Sequence, residues 1–492
     1  MLKVRHAEGE FFTLPLCKSF FPSFLKYLKQ FVYSHCLNSY RLKHTVLSIM
    51  KILKLVFVLV IIFHFSACKD DMIPSDSGFV TSDNFLKSKH MPIKIAVVSD
   101  IHYFDPSLLK NDAENGEAFQ NYLQTDPKLI QFSKPIFTQV LSELQSEKPD
   151  ILLIPGDLSK DGEKIDHIAM ANILQDVAKE GVKVYVIPGN HDINNPKAAG
   201  YDGDTEFETP TVSASEFASI YEEFGYKKAK ERDPNSLSYI CEPYSKLWIL
   251  GIDDCKYNEN VTKAEVSGRI KPETITWIQE KLKKAKKDKI KVLAMMHHGI
   301  VEHYQNQEVL DKGYVTDDWT EMSKELMAVG VQVIFTGHYH ANDITITSDD
   351  ENVLYDVETG SLVTAPSPYR IATLLDDKLT VSSRNVTTID YPMPGNLSFV
   401  EYSKQFLFAS MEGYFSYMLD HMEMGLNQDQ INFIAPRFTY AIMAHYAGDE
   451  SISAEEQDNV DLLISNAFLY GALTSIWTDL PPADNEFEIQ LK

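Results

Sequence analysis

An α/β fold is what this chain of 492 residues predicts, and two patterns predict it. Short β-branched apolar runs of strand length alternate with longer stretches whose apolar residues recur every three or four positions. Five of the runs lead directly into short polar motifs rich in Asp and His, as in an open sheet that builds its site at strand ends. With 44% hydrophobic and 24% charged residues, the chain is globular rather than disordered. It is long enough for one large domain with an appendage, or for two domains.

Ile93 to Val98 reads as a strand ending at Asp100-Ile101-His102. Ser133 and Pro135 open a helix with Ile136, Val140, Leu141 and Leu144 on one face. The run Ile151 to Ile154 leads into Gly156-Asp157. A helix is expected from Glu163 to Glu180, with Ile165, Ile168, Leu174 and Val177 inward and Gly181 after its end. Val182 to Ile187 leads into Gly189-Asn190-His191-Asp192. Asn194 to Ser236 is an insertion in which Ser213 and Glu216 form a capping box before Phe217, Ile220, Tyr221 and Phe224.

Leu237 to Glu242 turns through Pro243-Tyr244-Ser245 into Leu247 to Asp253 as a hairpin. Cys255 overshoots the position opposite Cys241, so no disulfide is expected between them. Pro272 opens a helix carrying Ile275, Ile278 and Leu282; Val292 to Met296 leads into His297-His298. A helix from Glu321 to Val329 and the run Val331 to Phe335 lead into Gly337-His338-Tyr339-His340. Strands follow at Asp343 to Thr347, Val353 to Val357, Ile371 to Leu375 and Leu379 to Val386. From Pro394 the chain turns helical: Phe399 to His421, Asp429 to Ala447 with a break or kink near Pro436, and Ser453 to Trp477 opened by a Ser453–Glu456 capping box. The row Phe406, Tyr414 and Tyr417 reads as core.

The N-terminal part carries a different signal. Lys51 and Lys54 precede an apolar run, Leu55 to Phe65, broken only by His64 and closed by Phe65-Ser66-Ala67-Cys68. A basic flank, an apolar centre of this length and small residues suit a signal peptide better than a spanning helix. Small residues before a Cys resemble the lipobox of bacterial lipoproteins. That implies a diacylated Cys68, a membrane anchor, and a place in the bacterial cell envelope at the outer membrane. Met50 starts a leader of ordinary length, so residues 1–49 read as an upstream extension and residues 69–91 as a tether. Residues 1–68 hold nine Lys and Arg against two Asp and Glu, which leaves the remainder at 37 against 68. So acidic a surface repels nucleic-acid backbones, and no nucleic-acid binding is expected.

The motifs carry the chemistry. Carboxylate, amide oxygen and imidazole are the ligand types that Zn, Mn and Fe take together, and a shared carboxylate can hold two ions side by side. Singly, Asp-x-His, Gly-Asp and His-His are ordinary turn or polar-pair sequences. Gly-Asn-His-Asp and Gly-His-Tyr-His are more specific, because Gly lets polar residues follow a strand directly.

In this order the five motifs resemble those of the calcineurin-like metallophosphoesterase superfamily. The resemblance implies a four-layer αββα sandwich over residues 92–393, with residues 394–492 a helical C-terminal subdomain added to it. It implies two metal ions, Fe, Mn or Zn, divalent or mixed-valence. Asp100, His102 and His340 would hold one, Asn190, His297 and His338 the other, and Asp157 would bridge them. His298 rivals His297, because Gly299 stands where the family commonly has Pro. It further implies hydrolysis of a small phosphoester by a bridging hydroxide, with His191 protonating the leaving oxygen and Asp192 orienting His191. The run Gly156-Asp157-Leu158-Ser159-Lys160-Asp161-Gly162 resembles that of bacterial phosphodiesterases in the superfamily, so a phosphodiester is expected. A phosphomonoester is the alternative. A lipoprotein that uses the fold only for binding would not need seven intact ligands.

Overall fold

The computed structural model describes residues 92–492 and one antiparallel pair, Leu2–Arg5 (β1) and Phe11–Leu14 (β2). The expected leader, the tether and the rest of the upstream extension lie outside the described residues. From β3 (Ile93–Val97) the chain passes β4 (Leu109–Lys110), α1 (Glu117–Thr125), α2 (Ser133–Glu147), β5 (Ile151–Pro155), α3 (Lys164–Lys179) and β6 (Lys183–Ile187). The insertion holds β7 (Ala199–Asp202), β8 (Thr205–Glu208), α4 (Ala214–Ile220) and β9 (Glu231–Arg232). Next come β10 (Tyr239–Tyr244), β11 (Leu247–Ile252), α5 (Pro272–Lys287), β12 (Lys291–Met296), α6 (Gln307–Leu310), α7 (Trp319–Ala328) and β13 (Val333–Thr336). Then follow β14 (Ile344–Ser348), β15 (Val353–Glu358), β16 (Pro368–Leu375) and β17 (Lys378–Asn385). The chain closes with α8 (Phe399–His421), α9 (Gln428–Ala447), α10 (Ala454–Asp461), α11 (Ala467–Ile476) and β18 (Glu486–Gln490).

Two sheets form the centre. One has the order β14-β15-β13-β12-β11-β10-β9, the other β18-β17-β16-β3-β5-β6. Strands β3, β5 and β6 run parallel, as do β11, β12, β13 and β15; helices make the crossovers except between β13 and β15, which are joined through β14. The alternation along the strands builds the layers. Ile249, Leu293, Met295, Val333 and Phe335 share one core with Ile95, Val97, Leu153 and Val186 of the other sheet. Their neighbours Trp248, Leu250, Ala294, Met296 and Ile334 pack under α5 and α7 in a second core. Burial on both faces is what continuous apolar runs encode. With α2 and α3 packed on the six-stranded sheet through Ile136, Val140, Met170 and Leu174, the result is the expected αββα sandwich.

Tertiary contacts changed several details. On α3, Ile165 and Ile168 are 40% and 46% exposed, whereas Asp166, His167, Met170 and Leu174 are buried. His167 turns the helix: its ring nitrogens bond Tyr221 Oη at 2.9 Å and Asp192 O at 2.8 Å, and its face meets Phe217. The insertion holds a hairpin, β7–β8, that joins β4 in a small third sheet; its polar sequence gave no strand signal. The expected helix from Ser453 to Trp477 is two, because Asn466 caps a second start while Leu462 and Ile464 stay exposed. Glu456 leaves its half of the capping box for Arg437 and Asn459. Helix α9 continues through Pro436. Tyr414, expected in the core, is 52% exposed.

The chain end also returns to the six-stranded sheet, since β18 pairs antiparallel with β17. Buried Arg370 holds that return, donating to Asp484 O at 2.6 Å and Glu358 O at 2.6 Å. Cys241 and Cys255 are free and buried, as expected. No helix among the described residues is long and apolar enough to cross a membrane.

Candidate metal centre

The C-terminal ends of β3, β5 and β6 in one sheet and of β12 and β13 in the other open onto a single seam. There Asp100, His102, Asp157, Asn190, His297, His338 and His340 come together. His102 Nε2 lies 3.4 Å from His340 Nε2 and 3.5 Å from Asp157 Oδ2. The same Asp157 oxygen lies 3.5 Å from His297 Nε2, which is 3.0 Å from Asn190 Oδ1. His340 Nε2 is 3.6 Å from Asp100 Oδ1, and the His297 and His338 rings are 4.9 Å apart.

The backbone is strained to achieve this. Asp100, His102, Asp157, His338 and His340 have φ of +49°, +42°, +48°, +77° and +70°, the left-handed region that side chains disfavour. Two motif glycines make room for the carboxylates. A Cβ on Gly189 would stand 2.1 Å from Asp157 Oδ1, and one on Gly337 would stand 2.2 Å from Asp100 Oδ2. Gly is required there for close approach.

The donor set fits a cation. His297 Nδ1 donates to Pro155 O at 2.9 Å, which aims Nε2 at the oxygens of Asp157 and Asn190. His340 Nδ1 bonds Thr364 Oγ1 at 3.2 Å and leaves its Nε2 facing His102. Unprotonated, these nitrogens would share a cation with the carboxylate oxygens beside them. Ligand atoms about 2.0–2.2 Å from one ion stand about 3.0–3.6 Å apart, the range of separations here. His102 Nδ1 is buried without a partner.

Burial, together with neighbouring positive groups, holds His102, His338 and His340 well below the usual imidazole pKa, so they are neutral, as ligands must be. Burial pushes Asp100 up to about 7. At the centre, burial opposes charge on both Asp157 and His297. Their mutual attraction outweighs it, lowering the carboxylate and raising the imidazole to about 10.

The His297–His298 pair divides clearly. His298 lies 4.1 Å ring to ring from His338, but Asp254 Oδ2 takes its Nδ1 at 3.0 Å and Val266 O its Nε2 at 2.8 Å. Only His297 turns a free nitrogen to Asp157. Asp192 departs from expectation: it does not orient His191. Its buried carboxylate accepts from the N–H groups of Leu158, Ser159 and Gly189 at 3.2, 2.9 and 2.9 Å, clamping two motif loops together. His191 Nδ1 instead bonds Asp161 Oδ1 at 2.9 Å. Burial and Lys128 push His191 down, but Asp157 and Asp161 outweigh them and its pKa is raised. Asp161 stood within the Gly156-to-Gly162 run, and its position four residues after Asp157 was the available signal. Asn195 of the insertion bonds both Asp161 Oδ1, at 3.3 Å, and His191 O, at 3.1 Å.

Tyr339, between the two histidines of its motif, is held from behind. Its hydroxyl donates to Asp311 at 2.5 Å, Asp311 also accepts from Tyr304, and His445 and Tyr446 of α9 pack on the Tyr339 ring.

A family model described as calcineurin-like phosphoesterase matches residues 93–342. Among solved structures, a dimetal phosphatase from Danio rerio aligns with 60% of this chain and 96% of its own, at 14% identity and TM-score 0.44. The purple acid phosphatase PPD1 from yellow lupin seeds aligns with 60% of this chain and 52% of its own, at 13% identity and TM-score 0.38. GAP50 of Plasmodium aligns with 65% of this chain and 94% of its own, at 11% identity and TM-score 0.32. No curated protein sequence matches the chain.

Asp192→Ala is expected to lower stability by roughly 2–5 kcal/mol, since it leaves three buried N–H groups without an acceptor. Urea unfolding measures this. An unchanged midpoint with a selective loss of activity would return Asp192 to a role in the reaction.

Proposed function

We propose, on the premise that the chain belongs to the calcineurin-like phosphoesterase family and is a metal-dependent hydrolase of phosphoric esters, that its substrate is a phosphodiester. The observation that carries this reading is the Gly156-to-Gly162 run, which resembles that of bacterial phosphodiesterases and whose Asp161 holds His191 at 2.9 Å. In this reading Asp100, His102, His340 and Asp157 would hold one ion, and Asn190, His297, His338 and the shared Asp157 the other. Bound divalent ions supply Lewis acidity, acidifying water and neutralising phosphoryl charge. The chain's own groups do the rest. Pro155 O takes the Nδ1 proton of His297, and Thr364 bonds Nδ1 of His340, so both rings present Nε2 to the centre. Asp161 occupies Nδ1 of His191 and leaves Nε2 to pass a proton to the departing oxygen. A phosphomonoesterase with the same residues is the second reading. Metal analysis of the purified protein, followed by assays on bis-p-nitrophenyl phosphate and p-nitrophenyl phosphate side by side, tests the choice. A higher kcat/KM on the monoester would favour the second reading.

The roles of two neighbours separate kinetically. Asp157→Ala should lose metal and activity together, because both ions share that carboxylate. His191→Ala should keep its metal and slow alkyl esters by roughly 10²- to 10⁴-fold, with a much smaller loss on p-nitrophenyl esters, whose leaving group barely needs a proton. Equal losses on both leaving groups would show that His191 positions the phosphate instead.

The same proposal puts the protein in the bacterial cell envelope, anchored through Cys68; the pattern from Lys51 to Cys68 supports it. Cys68→Ala should release the protein from membranes or halt its maturation. Wild-type protein found soluble in the cytoplasm with residues 1–68 retained would contradict this.

A further inference from the structure

The seven-stranded sheet carries a second group of imidazole and carboxylate side chains, none of them among the seven residues at the seam. His303 stands in the loop after β12, Asp343 just before β14, and Asp356 and Glu358 on β15. None is more than 1% exposed. Asp343 Oδ1 accepts from His303 Nδ1 at 2.5 Å, which fixes the ring and turns Nε2 the other way. There Nε2 lies 3.4 Å from Asp356 Oδ2 and 3.5 Å from Glu358 Oε2, yet it has no hydrogen-bond partner.

A proton on Nε2 would find neither carboxylate in hydrogen-bond geometry. A cation asks only that its ligand atoms stand about 3.0–3.6 Å apart around it, and both separations meet that condition. The carboxylates are also held from outside. Asp356 accepts from Thr336 Oγ1 at 2.6 Å and from the N–H groups of Ile300 and Val301 at 2.5 and 3.1 Å, and Glu358 Oε1 accepts from the Ala341 N–H at 3.1 Å. Their charge is not spent on the buried cation beside them, because Arg370 gives its guanidinium to the carbonyls of Asp343, Glu358 and Asp484 and to Ser383 Oγ. Asp343 Oδ2 has no hydrogen-bond partner, although His445 Nδ1 is 3.4 Å away, and neither has Glu450 Oε2 beyond α9. Burial opposes charge on His303, but Asp356 and Asp343 outweigh it and raise its pKa, so the group draws positive charge. Carboxylates buried without a matching cation are costly.

We propose that His303, Asp356 and Glu358 form a further cation site, separate from the dinuclear centre, which takes one divalent ion of the class that binds imidazole and carboxylate together, Zn²⁺ or Mn²⁺. Its ligand atoms are His303 Nε2, Asp356 Oδ2 and Glu358 Oε2, and Asp343 orients the imidazole. The ion takes the place of a proton on the ring. Its role is structural: the two carboxylates bind Thr336 and Ala341, the residues on either side of Gly337-His338-Tyr339-His340, so the ion braces that loop from behind.

Counting ions on the full-length protein tests this. Wild type, His303→Ala, Asp157→Ala and the double variant are each loaded with ZnCl₂ or MnCl₂, freed of loose ion by gel filtration, and analysed for metal per chain. His303→Ala should hold one ion fewer than wild type, and the double variant one fewer than Asp157→Ala. The second difference excludes an indirect loss from the dinuclear centre, which Asp157→Ala is expected to empty. Glu358→Gln, nearly the same shape with one charge less, supplies the same comparison if His303→Ala does not fold. Equal counts with and without His303 would overturn the inference and leave an imidazolium in that place, as would a loss seen only while Asp157 is present. Asp157→Ala that retains its ion pair would overturn the bridging role of Asp157, whereas this inference is decided by the differences alone.

Discussion

The buried carboxylate of Asp157 is the group on which the site depends. One of its oxygens stands 3.5 Å from an imidazole on each side, His102 from the six-stranded sheet and His297 from the seven-stranded sheet. It thus joins the two halves of the sandwich electrostatically, at the point where Pro155 O and His297 Nδ1 already join them by a hydrogen bond. Carboxylate and amide oxygens and imidazole nitrogens crowd together there in a medium of low polarity. Such a cluster is stable only around positive charge.

Holding that cluster is expensive. Five of its side chains sit on left-handed backbone, at a cost on the order of 1–3 kcal/mol each, which is comparable to the whole net stability of an ordinary domain. The cost is met by structure that leaves the loops no alternative. The strands behind them are buried on both faces, Asp192 ties the Gly-Asp loop to the Gly-Asn-His-Asp loop, and glycines at 189 and 337 let carboxylates lie against backbone.

The helical C-terminal region takes part in this support. His445 and Tyr446 of α9 pack on Tyr339, whose neighbours on either side are His338 and His340, and the chain then returns as β18 to the edge of the six-stranded sheet. The buried charges of this junction are only partly matched, since His303 Nε2, Asp343 Oδ2, His445 Nε2 and Glu450 Oε2 have no hydrogen-bond partner. Arg370 satisfies carbonyls of Glu358 and Asp484, and His303 bonds Asp343 at 2.5 Å. The C-terminal segment therefore packs on the backbone that carries His338 and His340.

The sequence by itself determined the strands that lead into the five motifs and the crossover helices between them, and it named the seven residues that meet at the seam. Each is a local signal: β-branched runs that fit only a two-sided sheet, and Gly-bounded polar motifs at their ends. It also favoured free cysteines at 241 and 255 from hairpin register alone. Tertiary structure decided what depends on which atom faces which. His297 rather than His298 turns a nitrogen to Asp157, because Asp254 and Val266 occupy both nitrogens of His298. Asp161 rather than Asp192 holds His191, because the Asp192 carboxylate saturates on backbone N–H groups. The buried face of α3, the split between α10 and α11 and the exposure of Tyr414 likewise follow from the tertiary packing. A hydrogen bond between residues dozens of positions apart leaves no periodicity in either segment, and only the packed fold brings its two ends together.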